Sequence, residues 1–214
     1  RDGIRNPEAD SDRYDSVRLA RFTHAVRVLS LAYYFRGEPE FADRTAVLLR
    51  TWFLDPETRM NPHLANAQAR PGWADGWNWG RIRLRDLAEL TDAARMLQGS
   101  EPWSDSDQIG LQQWYRSLLN WIADHPFGKR EYRKPNNHGT WFDAAVAGIA
   151  LFVGDEATAR GLIQASAELR IERAIDSDGS QPQELSRSKP IHYSIFNLEA
   201  LTRIAQIGER IGVD

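Results

Sequence analysis

Apolar residues recur at three- and four-residue steps along almost the whole chain, and no stretch alternates apolar with polar long enough to make a convincing strand. That periodicity dictates an all-α fold. Residues 12–36 carry apolar groups on two faces, Val17, Ala20 and Leu31 on one and Leu19, Phe22, Val26, Leu29 and Tyr33 on the other. A helix that apolar is expected to lie between neighbours on both sides. Gly37 is suited to end it, and Pro39 to open the next, over about 39–53, with Phe41, Thr45, Leu48, Leu49 and Trp52 on one face. Further helices are predicted over about 82–98 (Leu84, Leu87, Leu90, Ala94, Leu97) and 105–124 (Ile109, Leu118, Leu119, Ile122). An Ala-rich helix over 140–153 has small side chains that suit a crowded interior position. Helices over 156–174 and 191–211 follow, the last burying Ile195, Leu198, Leu201, Ile204 and Ile207.

Three long segments, 54–80, 125–139 and 175–190, fall at every second junction between these helices. Loops of that length are uncommon inside domains and are usually functional. Seven helices joined alternately by short and long loops suggest stacked hairpins: a bundle, a solenoid or an (α/α) toroid. No repeat of fixed period is present, which disfavours the consensus solenoids. In a toroid the long loops would share one end and converge on a single mouth.

Composition narrows the function. The chain has 214 residues, 42% of them hydrophobic, enough for a real core in a single domain over 1–214. No apolar run approaches the ~18–20 residues of a membrane span, so no membrane insertion is expected. The absence of cysteine excludes disulfide scaffolds, thiolate nucleophiles and Cys-ligated zinc. A net charge of −3 argues against nucleic acid as a partner, yet allows an anionic ligand held by a local basic cluster. The 8 Trp are the unusual feature, because rigid flat rings recur where sugar rings or large apolar faces must be covered. The chain opens on Arg1-Asp2-Gly3 without an apolar leader and stops just after a helical pattern, as the central part of a longer toroid would.

Two strings could carry chemistry. The second loop ends in Lys134-Pro135-Asn136-Asn137-His138-Gly139-Thr140-Trp141, preceded by Lys129, Arg130 and Arg133. Its plain reading is a solvated turn in which Thr140 caps the next helix. Its functional reading is an Asn-His pair aimed at an anion from a rigid helix start. The third loop runs Gln181-Pro182-Gln183-Glu184-Leu185-Ser186-Arg187 and leads to His192 and Tyr193. Arg187 offers a planar fork for a carboxylate. Tyr193 opens a helix, where a phenol near a guanidinium and helix-terminal N–H groups is eased toward ionisation, although a lone Tyr is more often a core filler. His192 points about a third of a turn away and is secondary.

Thr58-Arg59-Met60-Asn61-Pro62-His63-Leu64, Ala67-Gln68, Asn136-Asn137-His138-Gly139-Thr140, and Gln181-Pro182-x-Glu184-Leu185-x-Arg187 with Tyr193, taken in order, resemble the alginate lyase superfamily. These are polysaccharide lyases with an (α/α) toroid fold. The six-residue step from Arg187 to Tyr193 is closer to the family-thirty-eight lyases, which act on alginate or glucuronan, than to the family-five mannuronate lyases. The resemblance implies a periplasmic or secreted enzyme, without cofactor or metal, acting on an anionic polysaccharide. It implies that Tyr193 transfers the proton, that Asn137, His138 and Arg187 hold the uronate carboxylate, and that Glu184 supports Arg187. Gln68 and the Trp73, Trp77 and Trp79 cluster would line the sugar cleft, with Asn66, Asn136 and Lys134 as further substrate-binding residues. Asn66 departs from the family-five pattern, which has a tyrosine there, and the Trp-rich loop after Gln68 is longer.

The chemistry explains why such residues are wanted. A 4-linked polyuronate is cleaved without water by removing the C5 proton and expelling the C4 oxygen. That proton is barely acidic beside a negative carboxylate, and donors or a cation around the carboxylate relieve this, typically by about 3–4 kcal/mol per preorganised contact. Where proton and leaving oxygen lie on one face, Tyr193 could take the proton and return it; for the opposite geometry His138 is the more plausible base. Two alternatives stay open. One is a non-catalytic module that binds a polyanion in the same cleft. The other is an (α/α) glycoside hydrolase using a carboxylate pair such as Asp143 and Glu184.

Overall fold

The computed structural model describes residues 15–67 and 82–213. Among them every regular element is helical: α1 Asp15–Arg36, α2 Pro39–Leu49, α3 Ile82–Leu97, α4 Asp105–Asp124, α5 Pro126–Tyr132, α6 Asn137–Phe152, α7 Glu156–Ser166, α8 Pro182–Leu185 and α9 Pro190–Ile211. One π-helical turn, Arg50–Leu54, extends α2, and another, Ala167–Glu172, extends α7. The expected all-α architecture is present, with α1, α3, α6 and α9 packed side by side in chain order. A second layer backs them: α2 lies on α1, α4 reaches α6, and α7 packs on both α6 and α9. This two-layer arrangement of helical hairpins is that of the (α/α) toroid.

Local sequence sets the boundaries. Ser104 caps α4 by accepting from the Asp107 backbone N–H at 3.2 Å, while the Asp107 carboxylate accepts from the Ser104 N–H at 3.0 Å, which closes a reciprocal box. Pro39, Pro126, Pro182 and Pro190 each stand in the first turn of their helix, where no backbone donor is lost. α3 buries Leu84, Leu87, Leu90, Ala94 and Leu97 on its predicted face. α6 is sealed almost all round and forms the centre of the fold, as its alanines suggest.

Several expectations need correction. The second apolar face of α1 is not sandwiched: Ala20 is exposed, and Val28 and Leu31 lie open beside it. In α4, Ile109 is exposed. The stripe on α9 is rotated, so that Asn197, Ala200, Ile204 and Gly208 face inward while Ile195 and Leu198 face outward. Small residues win there because they let α9 approach closely; a Cβ on Gly208 would meet Ile163 at 3.3 Å and the Val213 carbonyl at 2.8 Å. Segment 125–139 is not a plain loop, since α5 folds within it and α6 begins at Asn137. The cap of α6 is Asn136 rather than Thr140: its side-chain oxygen accepts from the His138 N–H at 3.2 Å.

Contacts between connecting segments bring them to one end, as a toroid requires. His63 of the first segment lies against Trp121, which stacks on His125 with ring centroids 4.7 Å apart. Glu184 of the third segment reaches Asn137 at the start of α6.

Candidate active site

The end of α6 where these segments meet is built on a buried ion pair. Asp143 lies two turns inside α6 and Arg170 on the π-helical turn after α7, and both are sealed from solvent. The Arg170 Nε donates to Asp143 at 2.7 Å and its Nη2 to the second carboxylate oxygen at 3.2 Å. The remaining guanidinium donors reach the carbonyls of Tyr132, at 2.6 Å, and Lys134, at 2.8 Å. Ser166 donates to the same carboxylate at 3.2 Å. Burial pushes the Asp143 carboxyl upward, while the bonds from Arg170 and Ser166 pull it back. The pair thus clamps the backbone between α5 and α6. Gly139 is required at this point, because a Cβ there would stand 2.2 Å from the Lys134 carbonyl and 2.5 Å from the guanidinium.

The helix start held by this clamp does bind an anion, and the anion is the protein's own. Glu184 is buried, with one oxygen accepting from the Asn137 backbone N–H at 2.5 Å and the other from the Asn137 side-chain amide at 2.6 Å. A carboxylate at a helix N-terminus satisfies donors that the helix leaves open and complements its dipole. The resemblance gives Glu184 the task of supporting Arg187; its side chain pairs with Asn137, and the Arg187 N–H donates to the Glu184 carbonyl at 3.1 Å. Asn137 and Glu184 therefore form the wall of the site, both sealed from solvent.

Glu184 and Gln181 together fix the segment that carries the arginine and the tyrosine. The Gln181 amide donates to the Ser194 carbonyl at 3.3 Å and accepts from Asn197 at 2.9 Å, tying the entry of α8 to α9. The Arg187 guanidinium then sits over the Tyr193 ring, 3.9 Å from its centroid. The two residues predicted to hold the sugar acid and to move its proton are in contact.

His138 follows Asn137 on α6, with its Nδ1 3.0 Å from a carboxylate oxygen of Glu131. Glu131 is buried on α5, on the face of Phe127. Lys134 and Asn66 have exposed side chains, and Asn136 is spent on its cap. His192 is exposed and stacks on Phe196. Gln68, Trp73, Trp77 and Trp79 lie outside the described residues. Among the described residues no three acidic or imidazole side chains gather as metal ligands.

Sequence reasoning missed Glu131 and Arg170. Arg170 had a signal: it continues the stripe Ala159, Ile163, Ser166 at steps of four and three, and a charge on a buried stripe demands a buried partner. Glu131 had a weaker one, standing one turn from Phe127.

The family model for alginate lyase matches residues 1–214. An alginate lyase from Bacteroides ovatus, solved as a crystal structure, superposes with a TM-score of 0.95 at 35% sequence identity. That match covers 100% of this chain and 56% of the other, so the chain spans little more than half the length of that enzyme. No curated protein matches. With a family match over its full length and a fold this close to a solved member, the chain belongs to the alginate lyase family.

Proposed function

We propose that the chain carries the active end of a polysaccharide lyase that cleaves a 4-linked polyuronate by β-elimination. The observation that supports this best is the Arg187–Tyr193 contact at 3.9 Å, on a segment pinned by Glu184 to the helix that bears His138. Arg187 offers its charge to the uronate carboxylate, so that negative charge developing after loss of the C5 proton spreads into an enolate-like form. Tyr193 delivers the proton that the leaving C4 oxygen needs. Lys134 and its basic neighbours, all exposed, draw the polyanion toward the mouth.

The hydrolase alternative loses its carboxylates. Asp143 is 0% exposed and bound to Arg170, and Glu184 is 1% exposed and bound to Asn137, so neither can flank a glycosidic bond. The binding-module alternative is separated by assay. Polymannuronate, polyguluronate and glucuronan are offered in turn and the products read for ultraviolet absorbance and reducing ends. An unsaturated, absorbing product on at least one polymer is expected. Reducing ends without absorbance, or no product despite binding, would overturn the lyase reading.

A further inference from the structure

Glu131 has no place in the site drawn so far, yet it is a carboxylate buried at 1% exposure and aimed at His138, with 3.0 Å between its oxygen and Nδ1. With Glu131 ionised its oxygens only accept hydrogen bonds, and the contact then calls for a proton on Nδ1. In the neutral ring that leaves the lone pair on Nε2, the atom on the far edge of the imidazole. Most of the ring is buried, with 14% of the side chain exposed, and the first turn of a helix clamped by Arg170 fixes its direction.

We propose that Glu131 is the positioning residue of the elimination where proton and leaving oxygen lie on opposite faces of the sugar: it sets the His138 tautomer so that Nε2 meets the uronate as a proton acceptor. This rests on the lyase reading above and departs from the carboxylate-holding role that the resemblance implies for His138, since a neutral ring held this way accepts and does not donate to the sugar carboxylate. The step balances. The C5–H pair of electrons forms the C4–C5 double bond, the proton goes to Nε2, and the C4–O bond breaks toward the oxygen protonated by Tyr193. The imidazolium formed is stabilised by the buried Glu131 carboxylate, the logic by which an acid behind a histidine serves catalysis without itself taking the proton.

Two measurements test it. Nitrogen-15 NMR of histidine-labelled protein, with the His138 signals assigned by their loss in His138→Gln, should show the neutral ring protonated on Nδ1. A proton on Nε2 would overturn the proposal, whatever the activity. Glu131→Gln, assayed on polyguluronate, whose C5 proton and leaving oxygen lie on opposite faces, should lower kcat by about 10²-fold or more and leave KM within about threefold. A raised KM with kcat retained would mean that His138 grips the carboxylate in the ground state, and would overturn the proposal while leaving the lyase standing. Failure of the unmodified protein to make any unsaturated product overturns the lyase reading itself, and the kinetic part of the proposal with it.

Discussion

Two parts of this molecule are equally dry and differently made. Between α1, α2, α3 and α4 the interior is Leu49, Phe53, Leu87, Leu111, Leu118 and their neighbours, joined by area and by ring contacts such as Phe53 on Trp114 at 4.6 Å. At the N-terminal end of α6 the interior is Glu131, Asn137, Asp143, Arg170 and Glu184, each at most 3% exposed. Apolar burial stabilises wherever it occurs and has little direction. A buried polar network contributes little net stability against an apolar replacement, but each member has one geometry in which its partners are satisfied. The first region keeps the chain folded. The second fixes where a few side chains stand.

The comparison breaks most visibly at Arg170. Arg170→Met leaves Asp143 buried without its cation and frees two carbonyls, and should cost about 3–5 kcal/mol in denaturant unfolding. Leu111→Ala, in the apolar region, should cost about 2–5 kcal/mol by leaving a cavity. The two losses overlap, so the distinction lies in activity per folded molecule, which should collapse for Arg170→Met and survive for Leu111→Ala. Equal activities would erase the difference between the regions.

A finer cut is Gly139→Ala. The added methyl runs into the Lys134 carbonyl and the Arg170 guanidinium. It should destabilise by about 1–3 kcal/mol, with a loss of turnover larger than the fall in folded fraction explains. Glu184→Gln sharpens the comparison further, because it keeps the volume and sets an amide against the amide of Asn137. A cost of about 1–3 kcal/mol is expected, together with weaker turnover as the α8 segment and Arg187 lose their anchor. Thermal unfolding and product absorbance on the same samples check both variants.

The smallest effect lies far from the mouth. The Arg50 guanidinium, bonded to Asp107 at 2.6 and 2.9 Å, holds that carboxyl at about 2, below the ordinary carboxylate range. A carboxyl depressed on folding adds stability above its unfolded value, near 3.9, and loses it as pH falls toward the folded value. Asp107→Asn should therefore be less stable than the parent at pH 6 and converge with it near pH 2, with turnover unchanged at neutral pH.

The sequence carried the scaffold further than the site. Helix spacing is a one-dimensional signal, which is why α3 and α4 stand where their leucines and caps put them. Rotation about an axis is harder to read, and on α9 two stripes at similar spacing competed; the larger residues of the outer stripe lost to Ala200 and Gly208. The strings around His138 and Arg187 pointed to one end of the fold, and that end is where they meet. Their partners could not be read, because pairing across 47 residues, as between Asn137 and Glu184, leaves no local mark. The string suggests an Asn-His pair aimed at an anion from a helix start; that an internal carboxylate takes the Asn137 donors could not be read from it.

The most direct test is Tyr193→Phe, which removes one oxygen and keeps the ring on which Arg187 rests. Polymer binding and ultraviolet product are measured on the same preparation. Binding within a few-fold of the unmodified protein with no detectable unsaturated product is the predicted result. Absorbance rising at a near-normal rate would contradict it.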